Sequence, residues 1–134
     1  MQIVKAYPPN YSTILQYLTP PKDAVFAYGD TIYNPTGKDI SPDVIIHEEC
    51  HQRQMQGWQP DAWWFSYLMD KSFRLKVEVE AYATQYHFVK DKVPSKVAKL
   101  CLFDLASNMS MLYSLGITHS QAETLIRKFT MVAN

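Results

Sequence analysis

Two histidines four residues apart, with a glutamate directly after the first, are the chemically most informative residues of this chain. They are His47, Glu48 and His51, in the run HEECH. On a helix, positions four apart lie on one face, so both imidazoles can bind the same metal ion. Glu48 lies beside that pair and can act as a base toward water. The spacing predicts a zinc site with hydrolytic chemistry.

The segment that carries these residues is predicted to be a helix with well-marked ends. Ser41 is a candidate N-cap, Pro42 suits the first helical position, and Gly57 supplies a stop. Between these ends, apolar and polar side chains recur with the period of an amphipathic helix. The two histidines should therefore share one helical face.

A zinc site of this type requires a third protein ligand, and two glutamates compete for that role. Glu78 and Glu80 lie in a second helical segment, which begins at Arg74. On a helical wheel Glu78 falls between two apolar arcs, whereas Glu80 falls on the polar side with Lys76. A carboxylate amid apolar surface is costly unless a cation receives it. We therefore expect Glu78 to bind zinc and Glu80 to pair with Lys76 at the surface.

An HExxH helix completed by a glutamate on a later helix resembles the gluzincins, a group of zinc metallopeptidases. The stretch EVEAYA is similar to the third-ligand helix of membrane-associated HExxH peptidases, where the ligand glutamate is followed by alanine three residues later and then by aspartate. Glu78 and Ala81 match that pattern, and Tyr82 replaces the aspartate. In the family the aspartate orients a zinc-bound histidine. The resemblance thus makes Tyr82 a candidate for supporting a ligand or facing the substrate.

A second resemblance covers about half of the chain. Gln54 follows His51 by three residues, and the region from about Val25 to Gln85 is similar to small bacterial and phage proteins assigned as peptidases. This second resemblance implies hydrolysis and nothing more specific. The chemistry of the HExxH residues themselves predicts a peptide or protein substrate, with Glu48 as general base. For the group that stabilises the oxyanion, three tyrosines remain open on sequence grounds: Tyr82, Tyr86 and Tyr113.

The remaining segments predict a mostly α (α+β) fold, with residues 1–134 as one zincin-like domain. The run AVFAYGDTIYNPTG predicts a small β-hairpin around Gly29 and Asp30, ahead of the metal helix. The run WQPDAWWFSYLMD predicts a short helix beginning near Asp61. Its large side chains are expected to pack inward or line a cleft, namely Trp58, Trp63, Trp64, Phe65, Tyr67 and Leu68.

A helical hairpin is predicted at the carboxyl end. Helical periodicity begins at Pro94 and is interrupted at Gly116. Thr118 and Gln121 suggest a capped last helix that continues to about Met131. This hairpin should cover the metal helix.

Charge and composition exclude several classes of partner. The chain has 13 basic and 13 acidic residues, so no general attraction to nucleic acid or to anionic lipid is expected. The amino-terminal sequence lacks the pattern of a secretory signal, and no stretch has the length of a membrane span. The expected location is cytoplasmic, or a virion if the protein is phage-encoded. Cys50 and Cys101 suggest no disulfide framework.

Two other functions remain open. Because Tyr82 replaces the family's aspartate, the protein could keep zinc only as a structural element, without catalysis. Alternatively, the helices around Gly116 resemble a helix-turn-helix of DNA-binding proteins. The basic residues there, Lys96, Lys99, Arg127 and Lys128, are partly offset by acidic neighbours, which makes the DNA-binding reading the less favoured one. Oligomeric state and cleavage specificity are not indicated.

Overall fold

The computed structural model describes residues 2–130, in which helices predominate beside one small sheet. The prediction of a mostly helical α+β fold is confirmed at this level. None of the described helices is long and apolar enough to cross a membrane. The elements in chain order are β1 (Gln2–Val4), α1 (Tyr11–Tyr17), β2 (Phe26–Tyr28), β3 (Thr31–Tyr33), α2 (Pro42–Gln54), α3 (Pro60–Met69), α4 (Lys71–Lys90), α5 (Ser95–Leu112) and α6 (His119–Lys128).

The predicted hairpin is confirmed as β2 and β3. Tyr28 pairs with Thr31 in antiparallel register, which leaves Gly29 and Asp30 as a two-residue turn. Gly29 has a φ of 63°, and a positive φ at the first turn position is typical of a type II′ turn. β1, which the sequence did not predict, pairs in parallel with β3 and gives the order β1-β3-β2. β2 is therefore an edge strand.

Helix α2 carries the HExxH residues and begins where the sequence predicted. Pro42 occupies its first turn, and Ser41 precedes it in an extended conformation, although the Ser41 side chain makes no capping hydrogen bond. The helix ends at Gln54, and Gly57 follows with a φ of 82°. Four of its residues are buried: His47, Glu48, Cys50 and His51. Three of these four are polar, so they require partners inside the protein.

Asp70 separates α3 from α4 and caps the longer helix. Its carboxylate accepts hydrogen bonds from the backbone N–H groups of Ser72 and Phe73, at 2.9 and 3.2 Å. Helix α4 begins at Lys71, three residues before the start expected from the sequence. It packs against α2, α3, α5 and α6. This central position explains why a carboxylate on α4 can reach side chains on α2.

Two hydrophobic clusters meet at α4. The first contains Ile14, Phe26, Ala27, Met55, Trp63, Trp64, Tyr67, Leu68 and Val77. The second contains Val79, Tyr82, Leu102, Leu105, Ala106, Met109, Leu115, Ala122 and Ile126. The expectation that the whole tryptophan-rich segment packs inward is wrong for Trp58 and Phe65, which are 43% and 66% exposed.

The predicted carboxyl-terminal hairpin is confirmed as α5 and α6, which pack against each other. The expectation that this hairpin covers the metal helix α2 is wrong, because its main contacts are with α4, which lies against α2. Helix α5 ends at Leu112, before Gly116. Helix α6 begins with the expected capping box, in which Thr118 and Gln121 bond each other's backbone N–H groups. It ends at Lys128, and the predicted end near Met131 lies outside the described residues.

Candidate metal centre

Three buried side chains from α2 and α4 converge on one point. His47, His51 and Glu78 are 7%, 6% and 2% exposed. The Oε1 atom of Glu78 lies 3.3 Å from the Nε2 atom of each histidine. One ligand atom from each residue lies within 4.8 Å of the other two. The structure thus brings together the three predicted ligands, and this group could hold a metal ion.

The spacing of these atoms fits a small divalent cation. Zinc bonds nitrogen and oxygen ligands at about 2 Å, so two ligand atoms on a zinc tetrahedron lie about 3.3 Å apart. Both distances from Glu78 Oε1 to the imidazole nitrogens have this value. Glu78 Oε1 is also buried without a hydrogen-bond partner among the described residues. A buried oxygen without a partner lowers the stability of the fold. A cation bound by this oxygen and the two nitrogens would remove that penalty.

The second oxygen of Glu78 is held by a tyrosine. The hydroxyl of Tyr67, on α3, donates a hydrogen bond to Glu78 Oε2. Burial raises the pKa of Tyr67 well above its usual value, so the hydroxyl stays protonated and remains a donor. This bond fixes the carboxylate with Oε1 directed at the two histidines.

His47 is oriented by an amide on α4. Its Nδ1 lies 3.0 Å from Oε1 of Gln85, and the Gln85 Nε2 donates to a carboxylate oxygen of Asp43 at 2.7 Å. Since the amide nitrogen faces Asp43, the amide oxygen faces the ring and can only accept. His47 therefore carries its hydrogen on Nδ1, which leaves the lone pair of Nε2 for a metal.

His51 has a matching arrangement within its own helix. Its Nδ1 lies 2.8 Å from Oε1 of Gln54. The Gln54 Nε2 donates to Glu80 Oε1 at 2.8 Å and to the backbone oxygen of Val77 at 3.0 Å. Glu80 is thus not among the converging ligand atoms but supports one of the histidines. This contact differs from the expected surface pair of Glu80 with Lys76, because the Glu80 carboxylate accepts a hydrogen bond from Gln54 of α2.

Glu48 lies beside the three converging residues without joining them. It is 6% exposed, and its Oε2 is 3.9 Å from His47 Nε2, too far for a hydrogen bond. Burial raises the pKa of Glu48, although the two histidines and the backbone N–H of Ala27 act in the opposite direction. A buried carboxylate with a raised pKa is the form in which glutamate serves as a general base near neutral pH.

His51 and Glu78 each shift the pKa of the other. Burial alone would lower the pKa of His51, but the nearby Glu78 carboxylate outweighs burial and raises it to about 9. Burial likewise opposes ionisation of Glu78, yet the charge of His51 holds the pKa of Glu78 far below its usual range. The carboxylate of Glu78 thus favours a positive charge at this point, which a bound cation would supply.

Tyr82 contacts His47 through its ring, not its hydroxyl. The two ring centroids are 4.5 Å apart in an edge-on arrangement. The Tyr82 hydroxyl lies 2.6 Å from the hydroxyl of Tyr113, and His47 Nδ1 donates to the amide oxygen of Gln85 instead. Burial raises the pKa of both tyrosines, so both hydroxyls stay protonated.

A cavity of about 310 Å³ opens onto the converging residues. Its walls are mostly apolar side chains from α1, from the segment before β2, from β2 itself and from α5. Those that line it include Ile14, Leu18, Pro21, Val25, Phe26, Val44, Leu105 and Leu112. Glu48, Tyr82 and Tyr113 also line it, whereas Tyr86 is not among the lining residues. The site thus combines a concave, mostly apolar surface with a small number of polar groups.

Comparison of the chain with protein-family models, with curated proteins and with solved structures finds no match. The function is therefore argued from the geometry of the site.

Several supporting residues had not been given a role from the sequence. Gln85 and Tyr67 hold ligand side chains, and Asp43 holds the amide of Gln85. Each of these three bonds joins two different helices. A signal existed for Gln85, which lies seven residues after Glu78 and so on the same stripe of α4. Tyr67 carried no such signal, since its bond to Glu78 depends on how α3 packs against α4.

Proposed function

We propose that the protein is a zinc-dependent peptidase of gluzincin type with a zincin-like core. The observation that carries the proposal is the buried, unpartnered Oε1 of Glu78, 3.3 Å from the Nε2 atoms of His47 and His51. Two imidazoles and one carboxylate leave a fourth position on a tetrahedral ion. Glu48 lies beside these three residues and supplies the base that hydrolysis requires.

The choice of zinc rests on the donor set. Two nitrogens, each 3.3 Å from one carboxylate oxygen, suit zinc better than calcium or magnesium, which take six or more oxygen ligands. When bound at such a site, zinc polarises a carbonyl and lowers the pKa of water to about 7.

The chain's own residues would then move the protons. As water attacks the carbonyl carbon of the scissile bond, the carboxylate of Glu48 accepts a proton from that water. When the C–N bond breaks, Glu48 returns the proton to the leaving nitrogen, so the products are a carboxylic acid and an amine. The burial that raises the pKa of Glu48 favours its protonated form in the second step.

The substrate proposed is a peptide or protein. The apolar cavity beside the site would accept an apolar side chain of the substrate and exclude water from the reacting groups. The edge strand β2 lines the same cavity through Phe26 and Ala27, and Val25, directly before the strand, lines it as well.

The proposal is tested by replacing the base without disturbing the ligands. Glu48→Gln should keep full zinc content while hydrolysis of a peptide library falls about 10²-fold or more. Glu49→Gln, the adjacent glutamate of the same run, is the matched control and should retain both zinc and activity. Zinc is measured by mass spectrometry of the purified protein and cleavage by mass spectrometry of the library.

Two outcomes would contradict the proposal. Undiminished cleavage by Glu48→Gln would remove the proposed base. A fully zinc-loaded wild type that cleaves no peptide would instead favour a structural role for the metal.

A further inference from the structure

Two tyrosines that line the cavity form a hydrogen bond between their hydroxyls. One of the two hydroxyl hydrogens has no acceptor among the described residues. Tyr82 lies on α4 and Tyr113 directly follows α5, and their hydroxyl oxygens are 2.6 Å apart. Two hydroxyls carry two hydrogens, and the bond between them uses one. Among the described residues, neither hydroxyl has another hydrogen-bond partner. One O–H group of the pair is therefore left to donate to a third oxygen.

The pair borders the candidate metal centre. The Tyr82 ring packs edge-on against His47 at 4.5 Å, and Tyr82 follows Glu78 by one turn of α4. The carboxylate of Glu48, by contrast, accepts a hydrogen bond from the backbone N–H of Ala27 in β2. The base and the hydroxyl pair are thus contributed by different elements around the same cavity.

Arg74 fixes the turn that carries Tyr113. Its side chain is 6% exposed and donates to the backbone oxygens of Tyr113 and Ser114, at 2.8 and 3.3 Å. It also donates to the backbone oxygens of Tyr67 and Leu68, at 2.8 and 3.3 Å. One guanidinium therefore ties the ends of α3 and α5 to α4. A donor held in this way needs no reorganisation when charge develops on a substrate oxygen.

We propose that the Tyr82–Tyr113 hydroxyl pair donates a hydrogen bond to the oxygen of the scissile carbonyl as that oxygen becomes negative. One hydroxyl donates directly to the substrate oxygen, and the other hydroxyl holds the first one in position. The inference rests on the proposed peptidase function and goes beyond it by assigning the oxyanion donor. Tyr86, the third tyrosine considered from the sequence, does not line the cavity and is excluded from this role.

The test measures binding of a phosphinic peptide, whose tetrahedral phosphinate resembles the charged intermediate state. Tyr82→Phe and Tyr113→Phe remove one hydroxyl each and keep the rings. Each should retain zinc and weaken phosphinate binding by about 10²-fold, as loss of one oxyanion donor does. The double variant should bind the phosphinic peptide only slightly more weakly than the weaker-binding single variant, because the two hydroxyls act as a unit.

Tyr86→Phe is the matched control and should bind the phosphinic peptide as the wild type does. Binding is measured by calorimetry on zinc-loaded protein, so no turnover is needed. Unchanged affinity in both Tyr82→Phe and Tyr113→Phe would overturn the inference, as would a zinc-loaded wild type that does not bind the phosphinate. Loss of zinc from either variant would also overturn it, because that hydroxyl would then support the metal and not the oxyanion.

Failure of this inference can be told apart from failure of the proposed function. If the wild type cleaves peptides and the tyrosine variants match it in both kcat and phosphinate binding, only the donor assignment fails. If the wild type binds the phosphinate through the tyrosine pair but cleaves nothing, the donor assignment stands and the peptidase proposal fails. In an active enzyme the variants should lower kcat with little change in KM.

Discussion

At the scale of single residues, each predicted ligand is held by a neutral group. Gln85 orients His47, Gln54 orients His51, and Tyr67 holds Glu78. An amide at each of these places adds less negative charge to the centre than a carboxylate would. A metal bound here would keep more of its positive charge for polarising a carbonyl.

Removal of either amide should weaken metal binding. Gln85→Leu and Gln54→Leu each remove the acceptor that holds an imidazole in its Nδ1–H form, so zinc affinity should fall about 10- to 100-fold. The affinity is measured by competition with a zinc-binding dye. Gln56→Leu, an exposed glutamine just beyond α2, should have wild-type affinity. Equal affinity in all four proteins would show that the amides do not support the ligands.

The sequence was sufficient for the ligands but not for their supports. His47 and His51 are four apart on one helix, and Glu78 falls between apolar arcs, so periodicity alone predicted that they could meet. The partners of these ligands depend on contacts between helices, which periodicity does not contain. Glu80 illustrates this: the wheel placed it correctly off the metal face, yet its bond to Gln54 arises only once α2 and α4 pack together.

At the scale of secondary structure, local signals predicted most helix starts. Pro42 occupies the first turn of α2, α3 begins at Pro60, one residue before the predicted start near Asp61, and Thr118 forms the expected capping box. The strand β1 and the helix α1 were missed, because three and seven residues respectively are too short for a clear period. The hairpin was predictable since Gly29 marks a two-residue turn.

The capping box at α6 gives a direct stability prediction. Thr118→Ala should lower the free energy of unfolding by about 1 kcal/mol, because the backbone N–H of Gln121 loses its acceptor. Ser120→Ala, an exposed change in the same helical turn, should stay within about 0.5 kcal/mol of wild type. Urea unfolding followed by circular dichroism measures both. An equal effect of the two substitutions would mean that the cap contributes nothing.

At the scale of the whole molecule, α4 joins the two hydrophobic clusters and also contributes the third ligand candidate. A metal ion at the site would link α4 to α2 through side chains in the interior of the domain. The class of fold could be predicted from composition and period. The parallel pairing of β1 with β3 could not, because that register depends on residues about thirty positions apart.

Zinc should therefore stabilise the whole domain. A ligand that binds only the folded state adds about 4 kcal/mol of stability at a thousand times its dissociation constant. Thermal unfolding with zinc, compared with unfolding after treatment with a chelator, should show a higher midpoint that rises with zinc concentration. His47→Ala should abolish this increment, and His87→Ala, which removes an imidazole from the other side of α4, should keep it. A midpoint in wild type that does not respond to zinc would contradict this expectation.

The central claim is that His47, His51 and Glu78 together bind one metal ion, and zinc stoichiometry tests it most directly. Purified wild type should contain one zinc per chain, and Glu78→Ala should lose it. Glu80→Ala, which removes one acceptor of Gln54 and leaves the backbone oxygen of Val77 as another, should keep stoichiometric zinc when zinc is in excess. Full zinc content in Glu78→Ala, or loss of zinc from Glu80→Ala alone, would contradict the account.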